Sequence, residues 1–87
     1  MIEVEPISEK VYRVTVHGDT VTTHEVTVDP SYWRRLGGAE IDGARLVEKS
    51  FEFLLQREPN AQILRKFDLS VIQQYFPEYE AEIRDAL

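Results

Sequence analysis

Polar and apolar residues alternate with a period of two through the first third of the chain. From Lys10 to His17, Tyr12, Val14 and Val16 share one face while Arg13, Thr15 and His17 share the other. The alternation returns from Thr22 to Val28, with His24, Val26 and Val28 set against Thr23, Glu25 and Thr27. Two such runs around Gly18-Asp19-Thr20 predict an antiparallel hairpin. Parity then sets its register. Directly opposed residues share a face, and both apolar sets carry even numbers, so paired numbers sum to an even value and the loop has odd length. A three-residue loop, Gly18 to Thr20, places Val14 opposite His24 and Tyr12 opposite Val26. Ile2 and Val4 alternate as well, leaving room for a further strand over residues 2–7 that Pro6 ends or marks as an edge.

Beyond Val28 the spacing turns helical. Asp29-Pro30 pairs an N-cap acceptor with a residue whose fixed φ suits the first helical position, and Gly37-Gly38 stops that helix early. Asp42 caps a second helix running to about Glu58, where Pro59 disfavours helical backbone in its predecessor. Asn60 opens a third helix carrying Ile63, Leu64 and Phe67, and Asp68 caps a fourth carrying Leu69, Ile72 and Phe76. After Pro77, Tyr79, Ile83 and Leu87 recur at four-residue spacing on a last helix. The expected fold class is α+β: a two- or three-stranded antiparallel meander over residues 1–28, then three to five helices over 29–87, all in one domain.

The second helix is apolar on more than one side. At about 100° per residue, Ala44, Val47, Phe51, Leu54 and Leu55 occupy a normal core face, while Leu46 and Phe53 form a separate ridge. In water, that Leu and Phe would each forgo about 1.5–3 kcal/mol of burial. Either the last helix lays Tyr79, Ile83 and Leu87 across the ridge, or a second subunit covers it in a homodimer.

Composition narrows the function classes. Sixteen acids against ten bases give a formal charge of −6. A field of that sign opposes DNA, RNA and anionic membranes, whose affinity comes largely from neutralisation by Lys and Arg. Without cysteine, disulfides, thiolate metal sites and a cysteine nucleophile are excluded. No run approaches the roughly 20 apolar residues of a membrane span, and Met1 to Glu5 lacks the character of a secretory signal. These features point to the cytoplasm.

Candidate chemistry is sparse. His17 and His24 have opposite parity, so the hairpin puts them on opposite faces and they do not converge on one metal ion. No G-x-S-x-G or phosphate-binding loop occurs. Glu78, Glu80, Glu82 and Asp85 read as the solvated face of the last helix, with Glu80 and Arg84 as an i,i+4 pair. No catalytic activity, cofactor or metal is expected. Trp33-Arg34-Arg35 is the one basic–aromatic cluster, the residue types that stack a base and hold phosphate. Its plainer reading is a packing helix whose arginines answer nearby carboxylates. Residues 60–76 have the cadence of a helix-turn-helix. Yet from Asn60 to Leu87 three bases (Arg65, Lys66, Arg84) face five acids (Asp68, Glu78, Glu80, Glu82, Asp85), a net of −2 and the wrong sign for DNA.

The run from Ser50 to Pro59, the segment Phe67-Asp68-Leu69-Ser70-Val71-Ile72-Gln73-Gln74-Tyr75-Phe76-Pro77-Glu78-Tyr79-Glu80 and the hairpin's His24-Glu25-Val26-Thr27-Val28 resemble a group of short, uncharacterised bacterial proteins. The resemblance covers about half the chain and implies a stand-alone bacterial protein. It brings no activity, ligand or site. The function expected is a non-catalytic protein-interaction or regulatory module, working through a protein partner or self-association, with Leu46, Phe53, Trp33, Arg34 and Arg35 as its candidate surface. The alternative is a nucleic-acid-associated protein using residues 60–76 or the Trp33 cluster.

Overall fold

The structure, a computed structural model, describes residues 1–37 and 42–87. Three antiparallel strands open it: β1 (Ile2–Pro6), β2 (Val11–His17) and β3 (Val21–Thr27). Helices α1 (Pro30–Leu36) and α2 (Gly43–Leu55) follow. A 3₁₀ turn (Asn60–Gln62) then leads into a fourth strand, β4 (Lys66–Asp68), followed by α3 (Val71–Tyr75) and α4 (Tyr79–Ala86). The class is α+β, with four α-helices among the described residues. The sheet has four strands in the order β1-β2-β3-β4 and is mixed, because β4 runs parallel to β3.

The hairpin register follows the parity of its apolar residues: Val14 pairs with His24, Tyr12 with Val26, and His17 with Val21 across the three-residue loop. Tyr12, Val14, Val16, His24, Val26 and Val28 are buried beneath the helices. The opposite face is polar. Glu5, Arg13, Glu25 and Lys66 stand in one row across all four strands, alternating in sign, with contacts of 2.8 Å for Arg13–Glu5 and 3.5 Å for Lys66–Glu25. The exposed Glu3 and Glu5, followed by Pro6, guard the β1 edge against pairing with another copy of itself.

Two of the three anticipated aspartate caps are in place. The Ser31 N–H donates to Asp29 Oδ1 at 2.8 Å, and the Ala44 N–H to Asp42 Oδ1 at 3.0 Å. Asp68 instead ends β4 and accepts from the Ser70 N–H at 3.0 Å, and α3 starts after Ser70 with no side-chain cap. Gly37 ends α1 at φ 142°, a left-handed conformation that favours glycine; Gly38 lies outside the described residues. Helix α2 stops at Leu55, a turn short of Glu58.

The expectation fails between Asn60 and Phe67. No α-helix forms there, and Lys66–Asp68 becomes a strand. The outer edge of β3 explains why. The Glu25 N–H donates to the Arg65 carbonyl at 2.8 Å, and the Leu69 N–H to the Thr27 carbonyl at 2.9 Å. These bonds satisfy backbone groups that a two-sided hairpin would leave unpaired. Phe67 then lies beside Val26 and stacks near Phe51, with ring centroids 6.1 Å apart.

One close approach is set by glycine. Gly43, at the start of α2, lies against the buried Tyr12, and an added Cβ would overlap the Tyr12 hydroxyl and press on the Trp33 ring. Gly43→Ala should therefore destabilise the fold by about 1–3 kcal/mol, the usual cost of overpacking, despite a helix-propensity gain below about 1 kcal/mol. Urea unfolding checks it. Adding Tyr12→Phe, which removes the nearest clashing atom, should recover part of the loss; a double variant no more stable than Gly43→Ala would refute the clash.

Candidate functional site

The residues singled out from the sequence scatter. Leu46 is fully buried and Phe53 is 5% exposed, so neither is available as surface. Phe53 packs edge-on to Tyr79 of α4 at 5.2 Å and to Phe76 at 5.9 Å. Arg57 closes this contact, lying 3.6 Å over the Phe53 ring and pairing with Glu78 at 3.2 Å and Glu82 at 2.9 Å. Thus the chain's own C-terminal segment covers the ridge, because burying two large apolar groups outweighs ordering one short helix. Tyr79 is held more deeply. The Ser50 hydroxyl donates to the Leu46 carbonyl at 2.7 Å, so the Tyr79 hydroxyl, also at 2.7 Å, must donate to Ser50 Oγ. Burial raises the Tyr79 pKa above its ordinary value.

The Trp33-Arg34-Arg35 cluster is divided. Trp33 is half-buried, and its indole N–H is buried without a hydrogen-bond partner among the described residues. Arg35 stacks on Tyr32 and pairs with Glu80 at 3.1 Å, while Arg34 points to solvent. Glu80 also accepts from the Tyr32 hydroxyl at 2.9 Å, so its partners lie on α1 and not at Arg84. Residues 60–76 form a 3₁₀ turn, a strand and a five-residue helix, which is not a helix-turn-helix. Gln73, which that motif would offer to DNA, caps α4 instead: its carbonyl accepts from the Glu80 N–H at 2.9 Å and its amide donates to the Pro77 carbonyl at 2.6 Å.

An apolar concave feature lies elsewhere, where α2, the 60–64 turn, β4 and α3 meet. Helix α3 is too short to close this corner and leaves a groove of about 170 Å³. Leu54, Ile63 and Ile72, each 3% exposed, form its deep wall, joined by Phe67, Val71 and Phe76. At the rim stand Leu64, 48% exposed, and Tyr75, 67% exposed, two of the largest apolar surfaces on the molecule. Its polar lining residues are Gln62 and Glu58. Burial alone raises the Glu58 carboxyl above the usual carboxylate range, and Glu58 makes no ion pair among the described residues. Sequence reading missed this groove. The available signal was two adjacent apolar pairs, Ile63-Leu64 and Tyr75-Phe76, each flanking a short element with only one face to bury.

A buried polar chain fixes the groove's outer wall. A carbonyl only accepts, so His24 Nδ1 carries the proton that reaches the Leu64 carbonyl at 2.7 Å. His24 Nε2 then accepts from the Thr22 hydroxyl at 2.8 Å, and Thr22 Oγ1 accepts from the Asn60 amide at 2.9 Å. Asn60 also donates to the Thr20 carbonyl at 2.9 Å, gripping the hairpin turn. Every donor has an acceptor only while His24 is neutral. His17 lies on the opposite face, exposed, 3.0 Å from Glu3.

Burial, with a smaller push from the Arg65 charge, lowers the His24 pKa despite its bond to Leu64. The folded state therefore resists protonation that the unfolded chain accepts below about pH 6.5. Stability from this site is fully present above that pH and is lost as pH falls toward the depressed folded value. Urea midpoints should thus fall more between pH 7 and pH 5 for the native protein than for His24→Asn. Equal pH dependence in both would show that the imidazole is not held neutral.

No family model matches this chain, and no curated protein or solved structure matches it.

Proposed function

We propose that this protein is a non-catalytic protein-interaction module, and that the groove between the end of α2 and α3 receives an anchor side chain from its partner. The observation that carries this reading is the exposure of Leu64 and Tyr75 at the mouth of an apolar cavity. A dry cavity of about 150 Å³ accommodates benzene, so a groove of about 170 Å³ is the size for one aromatic or branched side chain. Both rim residues leave much of their apolar surface in water, and large apolar groups kept in water beside a concave wall are the pattern of interaction sites. A single carboxylate and one amide supply no nucleophile–base pair for catalysis. The formal charge of −6 weighs against a nucleic acid as the occupant. The setting proposed is a bacterial cytosol, on the strength of the C-terminal resemblance.

Substituting Leu64→Ser and Tyr75→Ala together should change stability by less than about 1 kcal/mol, because each is an exposed position. Affinity capture from the native cell should nevertheless lose at least one stoichiometric partner, with retention reduced tenfold or more. Equal capture of every partner by the native and doubly substituted proteins would reject the groove as the docking site.

A further inference from the structure

We infer that the groove selects a basic segment, one that seats an apolar anchor against Leu64 and Tyr75 and places a Lys or Arg beside it on Glu58. This rests on the anchor reading above and adds the chemistry of the occupant. Glu58 is the one ionisable group with a carboxylate in the lining, and it is half-buried in an apolar wall. A carboxylate removed from water is costly unless a cation or hydrogen-bond donor compensates it.

Two nearby cations in the sequence, Arg57 and Lys66, pair elsewhere. Arg57, the next residue in sequence, spends its guanidinium on Glu78, Glu82 and the Phe53 carbonyl at 3.0 Å. Lys66 pairs with Glu25 on the far face of the sheet. Arg65 forms no ion pair with Glu58 among the described residues, and burial raises the Glu58 carboxyl. The site thus holds an uncompensated negative charge in the surface that a partner must cover.

Docking sharpens the requirement. A neutral anchor would remove more water from Glu58 and return nothing, and an acidic one would bring a second carboxylate to it. A basic residue next to the anchor converts the same desolvation into a charge-assisted contact. The formal charge of −6 acts in the same direction at long range, drawing in cationic segments and repelling a second copy of the chain.

The test is selection of peptides from a random-sequence phage library on the full chain, followed by titration of synthetic enriched peptides monitored by amide NMR shifts. Enriched peptides should carry an aromatic or branched residue within a few positions of Lys or Arg, and should shift Leu64, Tyr75 and Phe76. Glu58→Gln should weaken them at least tenfold without loss of stability, and Glu58→Lys should turn the preference toward acidic peptides. Peptides that occupy the groove but lack a base, or that bind Glu58→Gln equally well, would overturn the charge requirement while leaving the anchor reading in place. Failure to enrich any peptide, or shifts confined to other surfaces, would overturn both. A dimer dispersed by Tyr75→Ala would also overturn this inference, by making a second copy the occupant.

Discussion

Helix α2 must bury two faces, and the arrangement of the remaining elements follows from that constraint. One face lies on the sheet, where Phe51 meets His24 at 5.3 Å and Phe67 at 6.1 Å between ring centroids. The other would be open to water in a simple two-layer domain. Phe53 and Leu46 on that side are each worth about 1.5–3 kcal/mol of burial, a large share of the stability a chain of this size commands. The C-terminal segment folds back to cover them, and Ser50 with Tyr79 and Arg57 with Glu78 and Glu82 fix where it lands.

Polar contacts, not apolar ones, decide how the connecting segment between those two layers is laid. Asn60, Thr22 and His24 tie the 60–64 turn to the hairpin through a chain in which each donor has one acceptor. Gln73 joins the end of α3 to the start of α4 in the same way. Such bonds each contribute modestly, yet leaving one buried partner unmade costs about 1–3 kcal/mol, so they specify position more than they add stability. With both ends of the segment pinned, the five residues of α3 cannot spread over the end of α2. The groove is what remains uncovered.

The same geometry accounts for the uneven surface. The open face of the sheet is crossed by a ladder of alternating charges, with Val21 isolated at its hairpin end. The corner by α3 presents Leu64 and Tyr75 around a single uncompensated carboxylate. A protein that is acidic overall and apolar at one concave place is suited to short segments that combine an apolar anchor with a positive charge.

Local rules were enough for much of this. Even-numbered apolar residues determined the hairpin register, since a slip of one residue would turn Val14, Val16 and Val26 to solvent. Asp29, Asp42 and Gly37 marked helix ends through their own backbone chemistry, and the spacing of Leu46 and Phe53 announced that α2 had a second face to cover. The strand at Lys66–Asp68 was beyond that reach. Ile63, Leu64 and Phe67 share a helical spacing, and the advantage of extension lies in the unpaired edge of β3, some forty residues away in the chain. The groove was out of reach for a related reason. Its walls come from four separate elements, and whether Leu64 or Ile63 faced water depended on a hydrogen bond from His24 that only the assembled sheet could offer.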